Sequence, residues 1–334
     1  MRALYLRAGD CQRRAGMLSS PRFKTIRAFV PYPNQMPDRL AAAILQTIHY
    51  ADLFDYPLTS DELFHFLIGV RATRAEIFDA LNDHSRLNGN LARFDGYVML
   101  PRRAHLIAQR ARLHADAATQ LPRARFYARC IAHFPFVRLI ALTGALAMQN
   151  ARDRDIDLFV VTAPGRLWLV RALIIALVRI ARVRGDKLCP NFLVTENALA
   201  MSEQNLYTAH EIAQMIPLYG FETYAELRRV NPWTKNFLPN AFRRAPNFSE
   251  SRLRARWIKK FAERWLGGKL GDAIERWERA RKIARLAAQT PRDADNALFT
   301  ADICRGFFSG HGRRVLKEFE TRIMNDKLQM TKYQ

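Results

Sequence analysis

The sequence is poor in cysteine and in acidic residues, and it lacks a long uninterrupted apolar run. The four cysteines of this 334-residue chain show no Cys-x-x-Cys pair and no cysteine–histidine spacing, which argues against a zinc site and a disulfide framework. This usage fits a reducing, cytoplasmic compartment. The most apolar segment, residues 167–185, is interrupted by four arginines. It falls short of the roughly 20 apolar residues of a membrane span and predicts a buried amphipathic helix.

Acidic residues are scarce relative to basic ones. The chain has 53 lysines and arginines against 31 aspartates and glutamates, a formal net charge of +22. A balance of this sign favours an anionic partner such as a nucleic acid, a nucleotide or an acidic membrane face. Because most of the excess is arginine, enrichment from a GC-rich genome is the alternative explanation.

Residues 1–36 form a basic segment in which Asp10 is the one acid. The segment has no clear periodicity and no compact apolar core of the kind that marks a secretory signal. Two interpretations stay open. It is a disordered basic arm, or it is translated upstream DNA with Met36 as the natural start.

Residues 37–103 carry the signals of three helices and a hairpin. An apolar stripe at helical spacing comes first, and two capping boxes then start two short helices. The dipeptide Asp95-Gly96 between two short apolar runs predicts a hairpin turn. This order predicts a winged-helix domain. The two capping boxes are Thr59 with Glu62 and Thr73 with Glu76.

The second capped helix, predicted over residues 74–84, is the candidate DNA-binding element of this domain. It carries Arg74, but also Glu76, Asp79 and Asp83, which would repel phosphates. Contact with another protein is therefore the alternative role for the domain.

The rest of the chain divides into three regions. Residues 104–135 predict an arginine-rich helical bridge, and residues 136–200 alternate strands with helices. Residues 201–334 predict a helical C-terminal extension, with one helix over 202–220 and two around a Gly267-Gly268 break. The predicted fold class is α+β.

Two aspartates open a buried strand in the segment "DIDLFVVT". Side chains alternate along a strand, so Asp155 and Asp157 point to one face, while Ile156, Leu158 and Val160 point to the other, into the core. Neighbouring carboxylates repel unless a cation lies between them. Mg²⁺ prefers oxygen ligands and few protein carboxylates, so the pair predicts a magnesium site.

A glycine precedes this strand at a predicted strand-to-helix turn. Without a side chain, Gly144 lets a phosphate approach the backbone, and the following helix start offers N–H groups. A phosphate cradle about ten residues before a metal site predicts a nucleoside triphosphate site.

This pattern resembles the DNA polymerase β-like nucleotidyltransferase superfamily, whose signature is a Gly-Ser turn followed by an Asp-x-Asp strand. Here it reads "TGALAMQNARDRDIDLFVV", and the resemblance covers residues 137–195. It implies a mixed sheet flanked by helices and Mg²⁺- or Mn²⁺-dependent transfer of a nucleoside monophosphate from a triphosphate to an acceptor. It places Gly144 and Ala145 at the turn, and Asp155 and Asp157 as the metal-binding, catalytic pair.

Two residues depart from the signature. Ala145 replaces the serine, so the hydroxyl contact to the triphosphate is missing. Arg154 either salt-bridges the acids or points outward and holds a phosphate. The family also uses a third carboxylate on a neighbouring strand. Asp186 and Glu196, at the two ends of the third strand, are the candidates, and Asn191 stands mid-strand.

Residues 207–211 place Tyr207, His210 and Glu211 about one helical turn apart. His210 is either a structural histidine or a residue near the active site.

Further on, a basic stretch includes Trp257 and Trp265. Such a pattern occurs on RNA-binding surfaces, but tryptophans in the core with solvated charges are the preferred interpretation.

The first functional hypothesis is a Mg²⁺-dependent nucleotidyltransferase acting on an unknown acceptor. The alternative is a winged-helix DNA-binding regulator with a degenerate, nucleotide-sensing transferase domain. A third possibility is an RNA-modifying enzyme that uses its basic helices as the substrate platform.

Overall fold

The computed structural model describes residues 39–83, 87, 89–152, 154–242, 256–289, 297–306 and 311–332. These residues form twelve α-helices and two β-sheets. The predicted α+β class is therefore confirmed. The basic segment 1–36 lies outside the described residues, as does the predicted end of the second capped helix at His84.

The elements follow one another without internal repetition. The helices are α1 (Arg39–Asp52), α2 (Ser60–His65), α3 (Arg74–Asn82), α4 (His105–Ala132), α5 (Gly144–Ala147), α6 (Leu167–Val183), α7 (Leu206–Gln214), α8 (Phe221–Val230), α9 (Thr234–Phe237), α10 (Arg256–Leu266), α11 (Lys269–Gln289) and α12 (His311–Lys332). The strands are β1 (Leu58–Thr59), β2 (Ala92–Phe94), β3 (Tyr97–Met99), β4 (Val137–Leu142), β5 (Asp155–Thr162), β6 (Lys187–Thr195), β7 (Ile216–Tyr219), β8 (Ala297–Phe299) and β9 (Ile303–Gly306).

The first unit comprises α1 to α3 and a small sheet with strand order β1-β3-β2. Both capping boxes form, with the Thr59 and Thr73 side chains accepting from backbone N–H groups three residues later. The β2–β3 turn has left-handed backbone at Asp95 (φ 51°) and Gly96 (φ 76°), as a two-residue hairpin turn requires. The local elements predicted here are confirmed.

The second sheet has six strands in the order β7-β4-β5-β6-β9-β8. Only β5 and β6 run parallel among the described strand pairs of this sheet. The central strand β5 is buried on both faces. Leu158 and Val160 pack with residues of α4 and α6, whereas Phe159 and Val161 pack with residues of α7 and α8.

The prediction that residues 201–334 are helical is wrong at three places. Strands β7, β8 and β9 lie in this region and complete the large sheet. The single helix predicted over 202–220 divides, because α7 ends at Gln214 and β7 follows. Pro217 is accommodated there since β7 is an edge strand, where a missing N–H costs no ladder hydrogen bond.

The first unit is attached to the loop that follows α5. Asn150 Nδ2 donates to the Phe54 carbonyl at 3.1 Å, and the Tyr56 hydroxyl donates to the Met148 carbonyl at 3.2 Å. Arg110 of α4 donates to Glu62 at 2.6 Å and stacks over the Tyr56 ring. These contacts place α1 beside the turn that carries Gly144.

None of the described helices combines the length and the apolar composition that crossing a bilayer requires.

Candidate functional site

The acid pair lies at the start of β5, on the face covered by α7. Asp155 and Asp157 are both half-buried, and their face continues into Phe159 and Val161, which contact the α7–α8 cluster. Ile156, Leu158 and Val160 are buried on the opposite face. The predicted division of β5 into an acidic face and a core face is therefore confirmed at these positions.

The turn before α5 lies against one of these carboxylates. Gly144 has a left-handed φ of +65°, and a Cβ added to it would lie 2.5 Å from Asp157 Oδ2. The Thr143 N–H donates to the Asp157 carbonyl at 3.0 Å. Glycine is thus required twice, for the backbone conformation and for space. The turn and the acid pair form one site.

The other oxygen of Asp157 is held by a neighbouring strand. Asn191 Nδ2 of β6 donates to Asp157 Oδ1 at 2.5 Å. Asn191 therefore stands where a third acid was sought and instead orients the carboxylate as a neutral donor.

The Asp155 carboxylate has fewer hydrogen-bond partners than the Asp157 carboxylate. Its Oδ1 is buried and makes no hydrogen bond with the described groups, although Lys187 Nζ lies 3.3 Å away as an ion-pair partner. Lys187 is directly beside Asp155 in the parallel pairing of β5 and β6, and most of its side chain is exposed. The exposed ammonium group of Lys187 therefore already faces the Asp155 carboxylate.

A third acid, on α7, lies near enough to Asp157 for the two charges to repel, which the sequence did not indicate. Glu211 is densely surrounded by protein. Burial, and then repulsion by Asp157, raise its pKa to about 7, against a smaller opposing contribution from the Gln214 hydrogen bond. Gln214 Nε2 donates to Glu211 Oε1 at 2.7 Å. The four-residue spacing from Tyr207 was visible in the sequence, but nothing local places α7 over β5.

Asp186, the first candidate for the third carboxylate, is turned away from the pair. It accepts from Arg123 at 2.8 Å and from the Tyr127 hydroxyl at 2.7 Å, both on α4. Since α4 covers the opposite face of the sheet, Asp186 does not share the face of Asp155 and Asp157. The expectation failed because successive residues at a strand start point to opposite faces.

Glu196, the second candidate, lies beyond the other end of β6. Its Oε2 is 3.7 Å from Arg138 Nε, at the start of β4. Asp157 pairs with Cys189, so seven residues of strand separate Glu196 from the level of the pair, a length of about 23 Å. Glu196 therefore does not take part in this site.

The two departures from the family signature both lie on the surface of the site. Ala145 is exposed and, with Gly144, lines a cavity beside Glu211. Arg154 is also exposed, and the described ion pair of Asp155 involves Lys187 instead. The exposed position of Arg154 is compatible with the outward orientation, and its contact with a phosphate stays a prediction.

Three cavities meet around Glu211 and Gln214. One of about 190 Å³ lies between α1, α7 and the Gly144 turn, with aromatic walls. One of about 90 Å³ lies beside Asn191 and is bordered by His311. A cleft of about 860 Å³ adjoins the first. The aromatic walls of the first are Tyr50, Phe54, Tyr56, Phe66, Tyr207 and His210.

The large cleft has a positive lining. Arg74, Arg110 and Arg228 border it, together with His65, His114 and one acid, Glu62, which pairs with Arg110. Burial, and next the charge of Arg228, lower the pKa of His65. The cleft is therefore electrostatically suited to an anion.

The described residues hold no group of three or more histidine, cysteine, aspartate or glutamate side chains arranged to bind a metal ion. The chain thus lacks an all-protein metal cage within those ranges. Mg²⁺, however, is commonly bound by one or two carboxylates together with substrate phosphates. Asp155, with its buried oxygen lacking a hydrogen bond, and Asp157 fit that second mode.

Comparison of the chain with models of protein families, with curated proteins and with solved structures finds no match. The structure defines a mixed α+β protein with a pair of acids at the start of β5, an inner strand of its larger sheet.

The Gly144–Asp157 contact predicts the effect of adding one methyl group. Gly165 has the same φ, +66°, with nothing within 4 Å of an added Cβ. Gly165→Ala should cost about 1–2 kcal/mol of unfolding free energy from backbone strain alone. Gly144→Ala should cost at least about 1 kcal/mol more, because its Cβ collides with Asp157. Urea denaturation measures both. Equal losses of unfolding free energy in the two variants would show that the Asp157 carboxylate moves aside without an energetic cost.

The raised pKa of Glu211 predicts a pH-dependent stability. The folded state favours the protonated carboxyl, so Glu211 destabilises the fold increasingly as pH rises from about 4.5 to about 7. Glu211→Gln should gain stability over the wild type across this window, by up to about 3 kcal/mol, and keep that gain above it. Denaturation at pH 4.5, 6 and 8 measures this, with the exposed Glu222→Gln as control. A stability difference independent of pH would contradict the placement of Glu211.

Proposed function

We propose that this protein is a metal-dependent nucleotidyltransferase that moves a nucleoside monophosphate from a triphosphate to the hydroxyl of an acceptor. The observation that carries the proposal is the contact of Gly144 with Asp157, since a turn open to phosphate and a carboxylate pair share one site. The resemblance of residues 137–195 to the polymerase β-like superfamily supports the same chemistry. The strand order around β5 is compatible with that fold.

Asp155 and Asp157 would hold Mg²⁺ or Mn²⁺ together with the triphosphate. The ion, when bound, neutralises charge on the phosphates and orients the transferred group. Gly144 lets the phosphates approach the backbone, and Ala145 adds no hydroxyl, so the turn binds through main-chain groups. Asn191 keeps Asp157 in its binding orientation.

Glu211 takes the role of the third carboxylate in this proposal. Its pKa of about 7 reflects burial first and then repulsion by Asp157, so a cation at the pair would favour the ionised form. The ionised Glu211 then accepts the proton of the acceptor hydroxyl at a carboxylate oxygen. A base whose pKa lies near the working pH is efficient in this step.

The cavities give the two substrates separate places. The aromatic cavity of about 190 Å³ beside Gly144 suits the nucleobase, since a dry cavity of about 150 Å³ holds benzene. The positive cleft of about 860 Å³ suits an anionic acceptor. Because Tyr50 and Phe54 belong to the first unit, that unit would serve as a wall of the substrate pocket.

The first unit also favours a second candidate function. Its order of helix, strand, two helices and two strands, with sheet order β1-β3-β2, is compatible with the winged helix predicted from the sequence, so a DNA-binding regulator is the alternative. On α3, however, Arg74 is paired with Asp61 at 2.8 Å, and Glu76 and Asp79 are exposed. This candidate requires salt-dependent DNA retardation that Arg74→Ala weakens, whereas the transferase requires none.

The transferase proposal predicts which carboxylates are needed. With α-labelled nucleoside triphosphates, Mg²⁺ or Mn²⁺, and protein, RNA and small-molecule acceptors, the wild type should transfer label. Asp155→Asn and Asp157→Asn should each lower transfer by at least about 100-fold, since each removes a ligand of the transferring centre. Glu196→Gln, which changes an acid remote from the pair, should keep full transfer.

Two results would contradict the proposal. One is the absence of transfer from every triphosphate to every acceptor by folded wild-type protein. The other is transfer that survives Asp157→Asn unchanged, because the activity would then come from elsewhere in the sample or the chain.

A further inference from the structure

Helix α10 carries an exposed row of aromatic side chains. Trp257, Phe261 and Trp265 are 71%, 59% and 64% exposed. Their four-residue spacing places them on one side of the helix, in a row about 12 Å long. The preferred prediction of core tryptophans is therefore wrong for Trp257 and Trp265.

The opposite side of α10 is held to the protein by polar groups. Lys259 is 7% exposed, and its Nζ donates to the carbonyls of Ala132 at 3.1 Å and Val137 at 2.7 Å. Glu263 accepts from the Phe136 N–H at 2.7 Å. A surface helix of a globular protein normally buries its apolar side. Here the carbonyls near the end of α4 recruit a lysine, and the aromatic side faces outward.

The charges of the helix pair α10–α11, residues 256–289, are segregated as well. Among the described residues of the pair, the charged residues classed as exposed are basic, including Lys260 and Arg264 beside the aromatic row. The acids point inward or are paired. Glu263 binds Arg138, Asp272 binds Arg166, Glu275 accepts from the N–H groups of Trp168 and Leu169, and Glu278 binds Arg281.

The second helix of the pair continues the combination of apolar and basic side chains. Leu270 is 58% and Trp277 62% exposed, and Arg281 stacks over the Trp277 ring. Ile258 on α10 is also exposed. The surface thus joins aromatic and aliphatic groups to cations, and Asp272, whose side chain is 45% exposed, is paired with Arg166.

We propose that the α10–α11 pair is a docking surface for a bilayer that contains anionic phospholipids. Trp and Phe insert at the boundary of headgroups and acyl chains, and nearby Lys and Arg attract anionic headgroups. Exposed Ile258 and Leu270 gain from burial in acyl chains, whereas base recognition in RNA relies on aromatic stacking and hydrogen bonds. The surface therefore favours lipid over nucleic acid.

The test uses the full chain and vesicles in 150 mM salt. The protein should co-sediment with vesicles of phosphatidylcholine and phosphatidylglycerol in a 7:3 ratio, roughly the anionic share at which surface potential attracts basic segments. It should bind pure phosphatidylcholine far less. Binding should shift tryptophan emission to the blue, and brominated acyl chains should quench it, because the indoles enter the bilayer.

Matched variants separate insertion from general charge attraction. The triple variant Trp257→Ala, Phe261→Ala, Trp265→Ala should lower vesicle partitioning by at least about 100-fold. The control Phe78→Ala, Phe94→Ala removes exposed aromatics of the first unit and should leave partitioning unchanged. Because all five side chains are exposed, circular dichroism should show each variant folded.

Charge variants complete the comparison. Lys260→Glu, Arg264→Glu should abolish the preference for anionic vesicles, whereas Arg112→Glu, Arg125→Glu, with the same change in net charge on α4, should keep it. Equal effects of the two pairs would overturn the proposal. So would vesicle binding without quenching by brominated chains, binding of single-stranded RNA but not of vesicles, or wild-type tryptophans shielded from a soluble quencher by another segment of the chain.

Discussion

The contact between the Gly144 turn and the Asp157 carboxylate is the constraint on which the rest of the site depends. The turn before α5 and strand β6 hold Asp157 in place. The turn before α5 lies against Oδ2, β6 donates to Oδ1 through Asn191, and Thr143 binds the Asp157 carbonyl at the end of the β4–β5 pairing. A side chain on residue 144 would separate the turn from the acid. Rigid orientation of Asp157 in turn fixes the direction in which any phosphate or cation can approach.

Packing on both faces of β5 explains why three acids come together in a basic protein. Asp155 and Asp157, the first and third residues of β5, have the same facing as Phe159 and Val161, so the helix α7 that covers those apolar residues also lies over the acids. Its residue Glu211 is thereby half-buried near Asp157, and desolvation, followed by repulsion from Asp157, raises its pKa to about 7. Such an arrangement costs stability unless a proton or a cation relieves it. The site is therefore a place where the fold favours binding a positive charge.

Features encoded within a few residues could be predicted from the sequence. The capping boxes at Thr59 and Thr73, the turn at Asp95 and the alternation along β5 all depend on local backbone geometry. Features set by long-range pairing could not. Strand β7 contains a proline and resembles the continuation of α7, and only its pairing with β4 makes it a strand. Glu211 reaches Asp157 through the same tertiary arrangement. Trp257 and Trp265 escaped prediction because buried carbonyls selected Lys259 for the inner side of α10.

The distribution of acids links the site to the basic surface. Many acids serve internally: Glu62 binds Arg110, Glu275 binds the start of α6, and Asp52 binds Arg103 and Arg322. These acids are already bonded within the protein, so they do not neutralise the exposed arginines, and the surface is positive. A positive surface attracts anions from a distance, while the acid pair at the start of β5 offers a place for a cation. The same positive surface would attract both an anionic nucleotide and an anionic bilayer to this chain.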